Sequence, residues 1–450
     1  MFSNLGGFTG QDALSESLRI LAQNVNSQRK TQAGKILDYY FGSQEQYIEK
    51  NPEESEEHWA KRPKVWLNLT YAVTKAVCRL YSDKVKREVN VDWGQEVLKP
   101  LTRVMQSVDQ FTFLTGTVAV RPVYRDDGSI KYAIYTPDMI DILPAENDPT
   151  EPEMVVLSWG QVRGTRVERI AHVWTKDEFI RLRNDKVVER QENPYGRIPL
   201  VFFRNSEPLW NFWEVEVPGI QIVKANEILN KLWTELVWTT IFQSHGQLIV
   251  KGAPPDFRPV FGPDTYIAIP DSGDVSFIKP DADINKMLDV INALIDSALM
   301  SLRIPEGAVR LKTTTTKSGI ALVAEQQSLV EWQKLRAEQF RDLEKELVKL
   351  ALHVYAIHER KSLPQNLEVL IDYPEPKEPL DRDELLEWTF KFNYRVATPI
   401  DYILAKNPDL TREEAEKVYA ENVAWFEKNN AVSPVELKAL EAKLEQTTTD

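Results

Sequence analysis

The chain is poor in the residues that most often carry chemistry. It has one cysteine, Cys78, in 450 residues, so an internal disulfide framework or a thiolate-rich zinc or iron–sulfur site cannot be built within one chain. A reducing compartment is the natural reading. The five histidines, His58, His172, His245, His353 and His358, form no ligand pattern, and the last two fall about 140° apart around a helix. No apolar run reaches the roughly 18 residues of a membrane span, and Met1 to Gly10 lacks a basic segment followed by an apolar one, so a soluble, unexported protein is expected. A phosphate-binding loop is missing too. Gly34-Lys35 is followed by Ile36, and Gly6-Gly7-Phe8-Thr9-Gly10 follows no strand. Positive charge is in deficit: 55 Lys and Arg against 68 Asp and Glu leave a net charge of −13. That balance argues against gripping nucleic acid over the whole surface, because phosphate binding needs clustered cations to release counterions. It does not exclude a protein that surrounds a duplex.

What is present is a globular composition, 42% hydrophobic and 10% aromatic, in a chain long enough for about three domains. Gln11 to Tyr47 has helical spacing, with Ile36, Leu37, Tyr40 and Phe41 as one stripe that Gly42 stops. A second helix is predicted over Leu67 to Tyr81, with Val73, Ala76, Val77 and Leu80 inward and Cys78 a small packed residue beside them. From Thr117 the period becomes 2, and Asp126-Asp127-Gly128-Ser129 reads as a hairpin turn rather than a pair of catalytic acids. Further strands are expected at Met154–Gly160, Arg169–Thr175, Phe179–Leu182 and Leu200–Phe203. Beyond Pro218 a helix of about 25 residues runs to Gly246, and a second spans Ile284 to Leu302. Between them lies a Gly- and Pro-rich β insertion with short strands at Leu248–Val250, Tyr266–Ile269 and Val275–Ile278. Pro305, Gly307 and the β-branched run Thr313 to Thr316 make the next segment a loop. Ser318 then caps a helix from Gly319 to about Arg360, about 60 Å long, with Leu322, Leu329, Trp332, Leu335, Phe340, Leu343, Leu347, Leu350 and Val354 as its apolar residues. Pro364, Pro374, Pro376 and Pro379 mark a linker, followed by helices at Asp381–Tyr394, Ile400–Lys406 and Thr411–Lys428 and a frayed tail. The fold class is α+β.

No catalytic constellation emerges, and no cofactor is implied. Two electrostatic features remain. Asn285, Asp289, Asn292 and Asp296 stand 4, 3 and 4 apart on the Ile284–Leu302 helix, forming one acidic stripe opposite the apolar one. Alone this is a solvated face; repeated around a ring it becomes a wall that repels phosphate. The following loop inverts the sign, with Arg303, Arg310, Lys312 and Lys317 against Glu306 alone. It reads equally as an ordinary solvated loop or as one that touches DNA transiently.

The order of segments resembles the portal proteins of tailed bacteriophages. The carrying stretches are Ile36 to Ile48 with its Tyr-Tyr-Phe-Gly, the run Asn193-Pro194-Tyr195-Gly196-Arg197-Ile198-Pro199-Leu200-Val201, and Lys317-Ser318-Gly319-Ile320-Ala321-Leu322. The sequence looks most like the portal of a long-tailed phage of a thermophilic host. The resemblance implies an N-terminal arm (1–25), a wing (26–217 with 318–376), a stem (218–245 with 283–302), a clip (246–282), a tunnel loop (303–317), a helical crown (377–432) and a flexible tail (433–450). It implies a closed ring, usually of twelve copies, at one capsid vertex of the virion, assembled in the host cytoplasm. Double-stranded DNA would pass through it without sequence specificity. The implied partners are the large terminase ATPase, the major capsid and scaffolding proteins and the head-to-tail connector proteins, with no membrane and no enzymatic activity. Asn285, Asp289, Asn292 and Asp296 would line the tunnel, and Arg310, Lys312, Thr313, Thr314, Thr315, Thr316 and Lys317 would lie next to DNA. Asp256, Phe257, Arg258, Asp264, Asp271 and Asp274 would dock partners at the clip. Another virion connector or baseplate ring, and an oligomeric hydrolase with an interface site, are the alternatives.

Overall fold

A computed structural model describes residues 10–24, 27–244, 247–251, 274–278, 283–302, 304, 319–374, 382–407 and 410–428. The elements run α1 (Gly10–Asn24), α2 (Gln28–Phe41), α3 (Glu56–Lys61), α4 (Leu69–Val77), β1 (Lys86–Val89), α5 (Gln95–Leu101), α6 (Met105–Thr115), β2 (Thr117–Tyr124) and β3 (Ile130–Tyr135). They continue through β4 (Ile140–Pro144), β5 (Pro152–Arg163), β6 (Arg166–Trp174), β7 (Glu178–Arg183), β8 (Lys186–Glu192), β9 (Val201–Arg204), α7 (Pro218–Ser244), β10 (Gln247–Lys251) and β11 (Asp274–Ile278). Last come α8 (Ile284–Ser301), α9 (Gly319–Glu359), β12 (Val369–Asp372), α10 (Arg382–Asn393), α11 (Pro399–Lys406) and α12 (Arg412–Lys428). The chain divides into two units, Met1–Thr315 with Glu325–Pro376, and Thr316–Ala324 with Lys377–Asp450.

In the larger unit, β4-β5-β6-β7-β8 form an antiparallel meander and β3-β2-β9 a second antiparallel sheet. Strand alternation gives the meander two apolar faces. Met154, Val156, Ala171, Val173, Ile180 and Leu182 point to one side, where Ala13, Ile20 and Leu21 of α1 cover them. Val155, Leu157, Trp174 and Phe179 point to the other and pack against Ala119, Tyr135 and Leu200 of the second sheet's region. The reverse face of that second sheet, with Val118, Val120 and Phe203, meets Phe340, Leu347, Ala351 and Val354 of α9 and Val97, Leu101, Met105 and Val108 of α5 and α6. The hairpin turn forms as its sequence asks: Gly128 has φ +80°, and the Asp127 carboxylate accepts from the Ser129 amide at 2.9 Å.

Several boundaries differ from the sequence reading. Gln11–Tyr47 holds two helices, because the Ser27 side chain caps a new one by accepting from the Lys30 amide. Gly42 ends it with φ +86°, and the Ser43 amide donates to the Asp38 carbonyl at 2.8 Å. On that helix Tyr39 is buried while Phe41 is 67% exposed, so the stripe is rotated from the one expected. The second helix is shorter than predicted. Asn68 caps it, accepting from the Tyr71 amide, so it begins at Leu69 and closes at Val77. Val73, Ala76, Val77, Leu80 and Cys78 are buried as expected, and burial pushes the Cys78 thiol well above its ordinary pKa. Leu335, expected inward on α9, is 63% exposed. The sequence reading passed over α5 and α6, although Leu98, Leu101, Met105 and Val108 repeat at three- and four-residue intervals.

Candidate functional site

The two helices that flank the β insertion, α7 and α8, pack on each other through Leu229, Leu236, Ile291 and Leu299. Leu288, Leu294, Ile295 and Leu302 fill the margins of the contact. The Asp283 carboxylate caps α8 by accepting from the Lys286 amide at 3.2 Å, so its first turn starts where the sequence placed it. Between the helices, β10 and β11 pair antiparallel, Gln247 opposite Ile278 and Lys251 opposite Asp274.

The base of α7 is fixed to the larger unit by backbone and amide contacts. A Cβ on Gly219 would stand 2.1 Å from the Leu114 carbonyl oxygen, so only glycine lets α7 approach the end of α6 this closely. Farther along, Asn226, Asn230 and Thr234 form a buried polar ladder at four-residue spacing inside an otherwise apolar face. They hold the extended stretch that precedes α4. The Asn226 carbonyl accepts from the Thr70 amide and hydroxyl, both at 3.0 Å, and its amide donates to the Leu67 carbonyl at 2.7 Å. The Asn230 side-chain carbonyl accepts from the Leu67 amide at 2.9 Å, and its side-chain amide donates to the Gln44 side-chain oxygen Oε1 at 2.8 Å. The Thr234 hydroxyl accepts from the Val65 amide and donates to the Val65 carbonyl, each at 3.1 Å. Next to Thr234 in the chain, Glu235 accepts from Asn51 at 3.2 Å and pairs with Arg62, which also binds Glu54 at 2.8 Å. Thus α7 serves as the hydrogen-bonding partner that a neighbouring strand would otherwise provide. Sequence reasoning noticed only the apolar residues of this helix; three polar residues at i, i+4 and i+8 within that face were the available signal.

The predicted acidic stripe lies on α8 away from α7. At about 100° per residue, Asn285, Asp289, Asn292 and Asp296 fall about 100° to 160° around the axis from the buried Ile291. In the single chain Asn285, Asp289 and Asn292 are exposed and Asp296 is half-buried. Of the clip residues, Asp274 begins β11, whereas Asp256, Phe257, Arg258, Asp264 and Asp271 lie outside the described residues. So do Arg303, Arg310, Lys312, Thr313, Thr314, Thr315, Thr316 and Lys317, the cap residue Ser318 and the strand expected at 266–269. Among the described residues no His, Cys, Asp and Glu side chains gather as a metal site would require, and no helix is long and apolar enough to cross a membrane.

The long helix α9 is clamped by buried charges that the sequence reading did not pair. The Arg336 guanidinium donates to the Asp109 carboxylate at 2.5 Å, to the Asp109 carbonyl at 2.8 Å and to the Asn205 side chain at 2.9 Å. Burial pushes the Asp109 carboxyl upward, partly offset by that guanidinium. Two turns on, the buried Glu344 carboxylate accepts from Arg87 Nε at 2.5 Å, Tyr81 at 2.7 Å and Tyr373 at 2.5 Å. The Asn193–Val201 run acts on the same helix. Asn193 closes its turn by donating to the Thr175 and Arg197 carbonyls, both at 2.8 Å, and Gly196 takes φ +61°. Tyr195 then meets α9 twice, its hydroxyl 2.9 Å from His358 Nε2 and its carbonyl 3.2 Å from His353 Nε2.

In comparison with known proteins, a model of the phage portal protein family, SPP1 Gp6-like, matches residues 22–424. No curated protein matches the sequence. Among solved structures, a chain in "Virion of native gene transfer agent (GTA) particle" has a TM-score of 0.46 at 10% identity, covering 85% of this chain and 95% of that one. A chain in "Neck of empty GTA particle computed with C6 symmetry" has 0.43 at 10% identity, and one in "Neck of native GTA particle computed with C12 symmetry" has 0.44 at 9%. Each of these two matches covers 78% of this chain and 89% of the other. The sequence match runs through every element from the end of α1 into α12, the α7–α8 pair and the clamped α9 included, and on that evidence the chain belongs to the SPP1 Gp6-like phage portal protein family.

Proposed function

We propose that this chain is the subunit of a closed ring of about twelve copies at one capsid vertex, the channel through which a terminase ATPase drives DNA inward and from which DNA later leaves. The family match over residues 22–424 carries this reading. The role is structural, and the subunit itself hydrolyses nothing. In the ring, α7 and α8 form the stem, residues 246–282 the clip, 303–317 the tunnel loop, 26–217 with 318–376 the wing, and 377–432 the crown. The clip docks terminase during packaging and head-to-tail connectors afterwards, and the wing meets capsid and scaffolding proteins.

Asp289 and Asp296 face the channel in this scheme, and Arg310, Lys312 and Thr313 to Thr316 form its constriction. The exposure of Asn285, Asp289 and Asn292 on the side of α8 turned from α7 supports that placement. Twelve copies at −13 each give −156 per ring, a charge that favours sliding over gripping. The native mass tests the assembly. With a subunit of 51.8 kDa, a ring of twelve weighs about 620 kDa and shows a central hole in negative stain. A stable monomer or dimer at high protein concentration refutes it. For the channel face, the double substitution Asp289→Lys and Asp296→Lys should leave the ring intact while slowing DNA passage. Unaltered packaging by that variant removes the stripe from the channel. Deleting Thr313 to Thr316 should likewise leave the ring assembled but impair packaging or DNA retention, and normal behaviour in both removes the loop's role.

A further inference from the structure

One large cleft of the bigger unit takes no part in the helix pair or its anchors. It encloses about 860 Å³ where β4, β5 and β9 meet α9. The half-buried Leu143, Phe202 and Leu343 give it an apolar floor, with Met154 and Leu200 buried beneath them. The walls carry seven carboxylates against three cations. Two of the seven are already neutralised, Glu178 by Arg190 and Glu346 by Arg197. The other five, Glu146, Glu151, Glu153, Asp177 and Glu207, make no ion pair among the described residues. Arg197 is one of the three cations, so it is committed to Glu346. Arg204, the second, is half-buried over the Phe212 ring at 4.4 Å and donates to the Thr150 carbonyl at 3.3 Å. Burial lowers its pKa, while Glu151 and Glu207 nearby act in the opposite direction. Lys176 is the third.

We propose that this cleft docks a protein segment in which apolar side chains are flanked by Lys or Arg. The floor removes the apolar groups from water, and the rim supplies carboxylates for the cations. The unpaired acids come from three separate stretches, 146–153, 177 and 207, so the ligand must carry several cations spaced along its length. That requirement fits a peptide segment and not a compact monocation. Duplex DNA is a poor occupant, since its phosphates would face a net excess of carboxylates and it offers the floor no aliphatic group.

The test uses the full-length protein and three labelled twelve-residue probes, followed by fluorescence anisotropy. One probe alternates Lys with Leu, one carries the same Lys residues with Ser, and one alternates Glu with Leu. The Lys/Leu peptide should bind, the Lys/Ser peptide about tenfold more weakly, and the Glu/Leu peptide not at all. The double substitution Glu146→Lys and Glu153→Lys, at two exposed positions, should weaken the Lys/Leu peptide about tenfold or more. Leu343→Gln addresses the floor, and if it folds poorly the rim variant remains decisive. Equal binding of the Lys/Leu and Lys/Ser probes would overturn the proposal, since it would reflect only the attraction of any cation to a chain of net charge −13. An affinity unchanged in the rim variant would overturn it as well.

Discussion

Replacing Asn226 with leucine should loosen α7 from the rest of the larger unit. Leucine is of similar size, so the change removes hydrogen bonds without opening a large cavity. The Asn226 carbonyl is the partner of the Thr70 amide, which sits in the first turn of α4 and has no partner within that helix. The Asn226 amide holds the Leu67 carbonyl at 2.7 Å. The variant therefore strands two buried backbone groups at about 1–3 kcal/mol each, so a loss of about 4 kcal/mol is expected. For a unit of this size, with an unfolding entropy of about 2.1 cal/mol/K per residue, that corresponds to a melting midpoint lower by about 5 °C. Circular dichroism on heating, with urea unfolding as a second probe, measures it. Lys224→Ala, on the exposed side of the same helix, should change stability by less than about 0.5 kcal/mol. Thr70→Val removes only the hydroxyl partner, and its cycle with Asn226→Leu should show coupling of about 0.5–3 kcal/mol. A loss below about 1 kcal/mol for Asn226→Leu, or strict additivity in the cycle, would refute the claim that this ladder replaces a strand partner.

Other expectations follow from the same geometry. Gly219→Ala should cost about 3 kcal/mol, because its Cβ would collide with the Leu114 backbone. Gly42→Ala should cost only about 1 kcal/mol, since there the strain is the left-handed φ alone and the nearest atom is the Trp66 ring at 3.5 Å; similar melting midpoints for the two variants would refute this. Arg336→Met leaves the buried Asp109 carboxylate without its cation and should destabilise by about 3–5 kcal/mol, whereas the pair Arg336→Met with Asp109→Leu should recover much of the loss in denaturant titrations. Burial, with help from Arg121 and Arg181, holds His172 neutral with its pKa pushed down to about 4. The unfolded chain binds the extra proton between that value and about 6.5, so this histidine's contribution is complete above about pH 6.5 and is lost as pH falls toward 4. The loss should be about 2–3 kcal/mol, and His172→Phe should flatten that limb of the stability–pH curve.

Much of the architecture was legible because it is written in local periodicity. The helical spacing around Ile284–Leu302, the alternation through Val118 and Val120, the turn at Asp127-Gly128 and the stop at Gly42 each depend on a few neighbouring residues. The stripe of Asn285, Asp289, Asn292 and Asp296 was legible for the same reason, since residues four and three apart on a helix share a face whatever surrounds it. By contrast, the partners of Asn226, Asn230 and Thr234 lie more than 150 residues away in sequence. No local rule could have chosen Thr70, Leu67 and Val65. The clamps on α9 are the same case, because Arg336 meets Asp109 and Glu344 meets Arg87 across more than 220 residues.

By itself, then, the sequence determined the type and order of most elements, the acidic balance, the absence of a thiolate site and the family, all of which reside in composition, spacing or short runs. Tertiary structure alone decided which polar residues inside apolar faces are satisfied, and by whom. It also decided that Phe41 and Leu335 face outward despite their spacing, and that unpaired acids from distant loops gather around one apolar floor. The physical reason is that burial and hydrogen-bond satisfaction belong to pairs of surfaces, and a single strand of sequence specifies one member of each pair at a time.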